Sequence, residues 1–378
     1  MRMIFHTLRP VFANGNEGPQ MRMYGMYNAF KELGYDVDLV DGYSAERKSK
    51  IGKVMENLAK GVKYDFLYSE SCTNPTFTSD PHRRNILDYN MDRNFLARVK
   101  KYQVPTGFYY RDVYWKFLHL DSGVQKNWKL MLTLFMYRQD LRWYKKVYDV
   151  IYLQSPEMRK YLPELDRCQV RALPPGHNVN SAIEYEYRPP LNMIYVGGVS
   201  AHYKIHKLLE AVKCIEDSRL VVCTREHEWA SNAGEYRSHM CSRVEVKHVN
   251  SDGLVPLYKQ ADVACLFMEP SPYREFTLPI KLYEYIGYEV PIIASKGTLV
   301  GTFVEQNDIG WAIEYDDAAL RELLDRLINQ PAEILKMRRN VRAIKGNHSW
   351  LRRARQVASD LTEASLDADE DIYVVHKA

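Results

Sequence analysis

The sequence predicts an α/β protein of two domains, each built around a parallel sheet. The chain has 378 residues, enough for two domains of ordinary size. Strand-like and helix-like segments alternate along its first half, and a second alternating run begins after the proline- and glycine-bearing loop 173–178. Such alternation builds βαβ units, whose strands are parallel and whose crossovers are right-handed.

The first half opens with a βαβ unit. An apolar strand over 2–8 is followed by a helix over 20–33 that ends at Gly34, and then by a strand over 36–41. The same patterns predict the remaining elements of this half: strands at 66–69, 106–110 and 150–154, and helices at 48–60, 85–101 and 127–148.

The second half begins after a predicted linker over 180–192, which ends in Arg188-Pro189-Pro190. The expected domains are 1–180, 190–346 and a terminal segment 347–378 with a final helix over 347–361 and an acidic tail. Ligands of such sheets bind at the carboxyl ends of the strands. The pattern predicts strands at 193–196, 219–224, 244–249, 263–267 and 291–295, and helices at 203–214, 255–260 and 279–287.

Composition restricts the class of partner and the compartment. A net charge of +4 is too small to indicate nucleic acid, and it suits an anionic small molecule or an acidic membrane surface. Six cysteines without a Cys-x-x-Cys pair indicate reduced thiols in a cytoplasmic protein. No apolar run approaches the roughly 18 residues needed to span a bilayer, so a soluble or peripheral protein is expected.

The most informative segment is the predicted helix 279–287. Pro279 stands at its start and Gly287 at its end, and these are the residue types that helix ends favour. Lys281 and Glu284 are three residues apart and share a face. A helix N-terminus with a lysine favours a diphosphate, and a carboxylate one turn on suits the two hydroxyls of a ribose. The alternative is a surface ion pair of little energetic consequence.

The motif Pro-x-Lys-Leu-x-Glu-Tyr from residue 279, followed by Gly-x-x-Val-Pro-Ile-Ile-Ala from residue 287, resembles the nucleotide-sugar signature of GT-B glycosyltransferases, in particular retaining family four. The resemblance implies two Rossmann-like domains with parallel sheets facing a central cleft. It implies a donor in the second domain, an acceptor in the first, and a terminal helix that crosses back to the first domain. It also implies transfer with retention of anomeric configuration.

Two patches of the first half match this family in order. The loop with Gly15 and Gly18 resembles the one that such enzymes place against the donor phosphates or the transferred sugar. A tight turn of any α/β domain has the same pattern. Arg111 and Asp112 follow the strand 106–110 and resemble a catalytic turn facing the cleft. The alternative for that pair is an ion pair that holds a loop.

The turn Gly197-Gly198 resembles the family's diphosphate turn, where glycine lets backbone N–H groups approach phosphate. Family members often carry an arginine just after it and a lysine about five residues on. Here Val199 stands at the arginine position and Lys204 near the lysine position. Lys204 and Lys281 are expected to stabilise the leaving diphosphate instead.

A second departure lies before the signature helix, where Phe276 replaces the family's first glutamate. Glu275 is adjacent and is a candidate for the sugar-hydroxyl role. The backbone N–H groups of Phe276, Thr277 and Leu278 are further candidates for holding the sugar. Thr224, at the end of a strand, is expected to reach the base.

The resemblance predicts a glycosyltransferase that moves a sugar from a UDP- or GDP-sugar to a glycan or polyprenyl-linked acceptor, in the synthesis of surface polysaccharide or another glycan. No metal or cofactor is expected. The basic segment 126–146 predicts an interfacial helix at the inner face of the membrane, or else an ordinary amphipathic helix. Two other classes stay open: a nucleotide-sugar epimerase on the same fold, and a catalytically silent sugar-nucleotide-binding scaffold.

Overall fold

The computed structural model describes residues 1–12, 18–76, 79, 90–117, 128–179, 182–200 and 203–362. They form two units. The first contains Met1–Pro174 and the last helix of the chain, and the second contains Pro175–Ser349.

The first unit has a six-stranded sheet whose strands are all parallel. Its strands are β1 (Arg2–Thr7), β2 (Asp36–Val40), β3 (Phe66–Glu70), β4 (Thr106–Tyr110), β5 (Val150–Leu153) and β6 (Gln169–Ala172), in the order β2-β1-β3-β4-β5-β6. Its helices are α1 (Gly18–Glu32), α2 (Ser44–Ala59), α3 (Met91–Lys101), α4 (Trp128–Val147) and the terminal α12 (Trp350–Thr362). Every residue of β3, β4 and β5 is buried, as expected for a parallel sheet covered on both faces.

The terminal helix α12 completes the first unit. It packs on α1, where Gly25 lies directly against the Trp350 indole. A Cβ at Gly107 in β4 would lie 2.8 Å from Leu361 Cδ1, so the far end of α12 lies on the sheet. The helix begins at Trp350, three residues later than expected, because Lys345–His348 forms a separate 3-10 turn.

The second unit has its own sheet of six parallel strands, in the order β12-β11-β10-β7-β8-β9. Apolar clusters cover both faces of this sheet. Its strands are β7 (Leu191–Val196), β8 (Ser218–Cys223), β9 (Val244–Lys247), β10 (Val263–Leu266), β11 (Ile292–Ser295) and β12 (Gly310–Ile313). Its helices are α5 (His206–Cys214), α6 (Glu226–Tyr236), α7 (Ser251–Gln260), α8 (Ile280–Gly287), α9 (Leu299–Gln306), α10 (Asp317–Asn329) and α11 (Ala332–Ile344).

The boundary between the units falls after Pro174, earlier than the expected boundary at 180. His177 explains the difference, because its backbone N–H donates to His348 O at 3.1 Å and its Nε2 lies 2.9 Å from Lys345 O. The described part of the predicted linker also packs on the second unit: Tyr185 donates to Asp262 Oδ1 at 2.5 Å. This segment is therefore part of the second unit.

None of the helices in the described part of the chain combines the length and the apolar composition that crossing a bilayer needs.

Candidate functional site

Lys281 and Glu284 lie at the start of α8, which Pro279 precedes as the N-cap residue. Lys281 Nζ lies 2.5 Å from Glu284 Oε2, and Tyr258 of α7 donates its hydroxyl to the same oxygen at 2.7 Å. The side chains of Lys281 and Glu284 are only 23% and 12% exposed. The two residues do form an ion pair, as the alternative interpretation stated, but it is largely buried and a tyrosine supports it.

The Tyr258 hydroxyl keeps its proton and donates a hydrogen bond to the Glu284 carboxylate. Burial raises the pKa of Tyr258 well above its ordinary value, and the nearby Glu284 carboxylate acts in the same direction. The phenol therefore stays protonated and holds Oε2 of Glu284. Glu284 Oε1 accepts no hydrogen bond from any described residue, so one carboxylate oxygen is available to a ligand.

The turn after β7 offers less backbone to a phosphate than the sequence suggested. Gly197 donates its N–H to Cys223 O at 3.0 Å as part of the sheet, and Val199 donates its N–H to Glu228 Oε1 at 2.9 Å. The Gly198 N–H is the one of the three that makes no hydrogen bond with a described residue. A Cβ at Gly198 would lie 2.6 Å from Glu228 Oε1, so any larger residue there would have to displace this carboxylate.

Val199 and Lys204, which follow this turn in the sequence, differ in their burial. Val199 is completely buried in the core of the second unit, and it makes no charged contribution. Lys204 is half exposed, and its Nζ lies 3.5 Å from Glu269 Oε2. Lys204 is therefore a half-exposed cation that a carboxylate holds weakly.

Thr224 follows β8 and is 8% exposed. Its Oγ1 is buried and has no hydrogen-bond partner among the described residues, whereas its backbone oxygen lies 2.8 Å from His248 Nδ1. A buried hydroxyl without a partner is unfavourable unless a ligand or water completes it. The contact of Thr224 with a base stays a prediction.

In the loop before α8, some residues are buried in the core and others are exposed to solvent. Phe276 is completely buried and packs edge-on against Tyr273, with 5.3 Å between ring centroids. Leu278 is also buried, Thr277 is half-buried, and Glu275 is exposed at the end of a 3-10 turn. Phe276 therefore anchors the loop, and the structure places Glu275 at the surface.

In the first unit, Arg111 and Asp112 lie at the carboxyl end of β4. Arg111 does not pair with its neighbour: its Nη2 lies 3.5 Å from Glu70 Oε2, and its backbone N–H donates to Ser71 Oγ at 2.9 Å. Asp112 accepts the Tyr114 N–H at 2.9 Å and so shapes the turn. Gly18 begins α1, and Gly15 lies outside the described residues.

Sequence reasoning missed the buried partner of Arg111. Glu70 ends the otherwise uncharged strand β3, and its Oε1 accepts from Arg22 Nε at 3.2 Å and from the Tyr68 hydroxyl at 2.9 Å. Burial lowers the pKa of Arg22, but Tyr109, Tyr68 and Glu70 together raise it above its ordinary value. The available signal was a carboxylate at the end of an apolar strand.

A second buried network lies at the same edge of the first sheet. His6 Nδ1 lies 2.8 Å from Ser69 Oγ, and its Nε2 lies 3.1 Å from Asp92 Oδ1. Arg47 donates to both Asp92 oxygens, at 2.9 and 2.8 Å. Burial opposes ionisation of Asp92, but the bonds from His6 and Arg47 hold its pKa well below the usual range. Among the described residues, no group of three or more His, Cys, Asp or Glu side chains is arranged to hold a metal ion.

Residues 190–330 match the family described as Glycosyl transferases group 1. No curated protein matches the sequence significantly.

Solved structures match nearly the whole chain. The chain is similar to sucrose-phosphate synthase (tll1590) from Thermosynechococcus elongatus, with 15% identity, a TM-score of 0.66, and coverage of 96% of this chain and 98% of that one. It is similar to Anabaena Alr3699/HepE in complex with UDP-glucose, with 13% identity, a TM-score of 0.60, and coverage of 96% and 100%. WaaG, a glycosyltransferase involved in lipopolysaccharide biosynthesis, gives 13% identity, a TM-score of 0.61, and coverage of 96% and 100%. The chain has the GT-B fold, residues 190–330 match the family described as glycosyl transferases group 1, and the chain is a glycosyltransferase.

Proposed function

We propose that the chain transfers a sugar from a UDP- or GDP-sugar to a glycan or polyprenyl-linked acceptor, with retention, in the synthesis of surface polysaccharide or another glycan. The carboxylate of Glu284 carries this proposal, because Tyr258 and Lys281 fix one of its oxygens and leave the other to accept from a ribose. Two similar structures add support: the HepE complex contains UDP-glucose, and WaaG acts in lipopolysaccharide biosynthesis.

Each site residue has a chemical part in this proposal. Glu284 accepts hydrogen bonds from the ribose hydroxyls, and Thr224 contacts the base with its buried hydroxyl. Lys281, Lys204 and the amino end of α8 stabilise the charge that develops on the leaving diphosphate. That phosphate accepts the proton of the acceptor hydroxyl, and the new glycosidic bond forms on the face that the diphosphate leaves. Arg111 and Asp112 belong to the acceptor side, and the proposal requires no metal ion or cofactor.

The experiment is a thermal-shift screen of the protein with UDP, GDP, ADP, CMP and their common sugars, repeated with Glu284→Ala. A ligand at 100 times its dissociation constant adds about 2.7 kcal/mol to stability. We expect one nucleoside diphosphate to raise the melting temperature of the wild type and not that of Glu284→Ala. An absence of any shift would contradict the proposal. Turnover of the donor without an acceptor would favour an epimerase, and binding without turnover would favour a silent scaffold.

We further propose that the enzyme contacts an anionic membrane surface from the cytoplasmic side through α4. The exposed face of this helix is apolar in its first two turns: Trp128 and Met131 are each 70% exposed, Phe135 is 54% and Leu132 is 44%. Further along the same face the exposed residues are cationic, namely Arg138, Arg142, Lys145 and Lys146. Apolar side chains followed by cations suit insertion at a bilayer interface beside anionic headgroups.

Co-sedimentation with lipid vesicles tests this contact. The full chain is expected to bind vesicles of phosphatidylglycerol and phosphatidylcholine better than vesicles of phosphatidylcholine alone. The double variant Met131→Ser, Phe135→Ser should lose about tenfold or more of this binding, because each buried apolar side chain contributes about 1.5–3 kcal/mol. Leu335→Ser, at a 39% exposed apolar position of α11, is the matched control. Equal binding by the double variant and the control would contradict the proposal.

A further inference from the structure

The turn that follows β7 consists of residues 197–200 and carries no cationic side chain. Val199 stands where the family that the sequence resembles often has an arginine, and its side chain is completely buried in the core. What this turn itself can offer a diphosphate is its backbone N–H groups. Such groups bind an anion best when they are held in place before it arrives.

The peptide group between Gly198 and Val199 is fully hydrogen-bonded. Its carbonyl oxygen accepts from the Tyr195 hydroxyl at 2.5 Å, and its N–H donates to Glu228 Oε1 at 2.9 Å. The C=O and the N–H of a trans peptide point in opposite directions, so these two side chains hold the group from opposite sides. This peptide group has no donor left for a ligand, and its position in the middle of the turn is fixed.

The next peptide group, between Val199 and Ser200, is held at one end only. Tyr236, the last residue of α6, donates its hydroxyl to Val199 O at 2.7 Å. The Ser200 N–H makes no hydrogen bond with a described residue. Because the peptide is trans, this N–H points away from the Tyr236 hydroxyl. Among the described residues, the turn thus keeps two N–H groups without a partner, those of Gly198 and Ser200, on either side of the fixed peptide group.

Tyr236 has little freedom to move. Its side chain is completely buried in the core of the second unit, its ring stacks on Trp229 with 5.9 Å between centroids, and the His206 ring centroid lies 4.6 Å away. Burial raises the pKa of Tyr236 to about 12, so the hydroxyl keeps its proton at neutral pH. Val199 O therefore accepts a hydrogen bond from a fixed donor.

We propose that Tyr236 is a positioning residue of the donor site: its hydroxyl holds the peptide group between Val199 and Ser200 and so directs the Ser200 N–H at the diphosphate of the donor. This inference rests on the proposed function, because the diphosphate belongs to the same nucleotide-sugar. An N–H group that is fixed beforehand loses little freedom when the ligand binds, and it stabilises the charge that develops on the leaving diphosphate without rearrangement. Fixed backbone donors thus replace part of the contribution of an arginine at position 199.

Calorimetric titration of the full-length protein with UDP and uridine, and with GDP and guanosine, tests this role. Tyr236→Phe keeps the ring and removes only the hydroxyl. It should weaken binding of the nucleoside diphosphate by about 2–10-fold, the effect of one hydrogen bond, and leave binding of the nucleoside unchanged, because the nucleoside has no phosphate. Tyr187→Phe is the matched control and should bind as the wild type does, since the buried Tyr187 hydroxyl has no hydrogen-bond partner among the described residues.

A second set of variants tests the N–H group itself. Ser200→Pro removes the N–H, whereas Ser200→Ala keeps it, so Ser200→Pro should bind the nucleoside diphosphate more weakly than Ser200→Ala. If Tyr236 acts through this N–H, the double variant Tyr236→Phe, Ser200→Pro should bind no more weakly than Ser200→Pro alone. Equal binding by the two Ser200 variants would overturn the inference, and so would additive losses in the double variant.

The two proposals fail in different ways. If the wild type binds neither UDP nor GDP, the proposed function is wrong and this inference falls with it. If the wild type binds one of them and Tyr236→Phe binds it equally well, only the inference is overturned. If Tyr236→Phe loses nucleoside and nucleoside diphosphate to the same extent, Tyr236 acts on the fold of the second unit, and the inference is again overturned.

Discussion

Glu284 has one oxygen fixed by the protein and one that no described residue occupies. If the second oxygen binds ribose, Glu284→Gln should weaken binding of the free nucleoside by about 10–100-fold, since a hydrogen bond to a charged group contributes about 1.5–3 kcal/mol. Titration with uridine and guanosine measures this effect. Glu305→Gln, at an exposed glutamate of α9, is the control. Wild-type affinity in Glu284→Gln would show that the carboxylate serves only the ion pair with Lys281.

Asp92 is expected to make the stability of the first unit depend on pH. Its pKa is lower in the folded protein than in the unfolded chain, where it is about 3.9, so its stabilising effect is complete above that value. The effect is lost as the pH falls through the lower, folded-state pKa. Asp92→Asn should therefore cost about 3–5 kcal/mol at pH 7, because it leaves Arg47 buried without its carboxylate.

Urea unfolding of the wild type and Asp92→Asn between pH 7 and pH 2 measures this contribution. The difference in unfolding free energy should shrink as the pH falls below about 4. Asp36→Asn is the control, because the Asp36 side chain is 68% exposed and its pair with Arg2 is at the surface. A difference between wild type and Asp92→Asn that stays constant over this range would contradict the prediction.

At the scale of elements, α1 and α12 pack without space for a side chain at Gly25. A Cβ there would lie 2.5 Å from Trp350 Nε1, and Trp350 is itself buried. Gly25→Ala should destabilise the first unit by about 1–3 kcal/mol, the usual cost of overpacking, even though alanine favours a helix. At Gly52 in α2 an added Cβ would meet no atom within 4 Å, so Gly52→Ala is the matched control.

Gly52→Ala should stabilise the protein by up to about 1 kcal/mol through helix propensity alone. Denaturant unfolding at neutral pH compares the two variants. If both substitutions stabilise the protein equally, the α1–α12 contact is looser than the structure shows.

The strands and helices that the sequence predicted are those whose apolar pattern lies within the element itself. The central strands of both sheets are nearly continuous apolar runs, because helices cover both of their faces. Strand β6, which the sequence did not reveal, reads Gln-Val-Arg-Ala at the edge of its sheet, and its residues are half-buried or exposed. An edge strand needs little apolar surface, so its composition resembles that of a loop.

The site residues also divide into pairs that are close in sequence and pairs that only the tertiary structure brings together. Lys281 and Glu284 are neighbours on one helix, so their spacing alone placed them together. Arg111 and Glu70 meet only because β3 and β4 are adjacent in the sheet, and Tyr258 reaches Glu284 only through tertiary folding. Pairs of this second kind depend on strand register and loop path, which one sequence without its fold does not specify.

At the scale of the whole molecule, the chain leaves the first unit after Pro174 and returns to it at Trp350. The returning helix α12 buries one face against that unit, with Trp350, Ala354, Val357 and Leu361 on this face. The core of the first unit is thus complete only after the second unit has been synthesised.

A chain that ends at Ser349 should therefore lose stability in the first unit and keep it in the second. Hydrogen exchange measured by mass spectrometry is expected to speed up in α1 and β4, which contact Trp350 and Leu361, while β7, β10 and β11 keep their protection. Leu361→Ala in the full chain is the milder variant, with an expected cost of about 2–5 kcal/mol confined to the first unit. Affinity for the free nucleosides should be unchanged in both proteins, because Glu284 and Thr224 lie within Pro175–Ser349. Unchanged exchange in α1 and β4 would mean that the first unit folds without its terminal helix, and the return of the chain would then have no role in its stability.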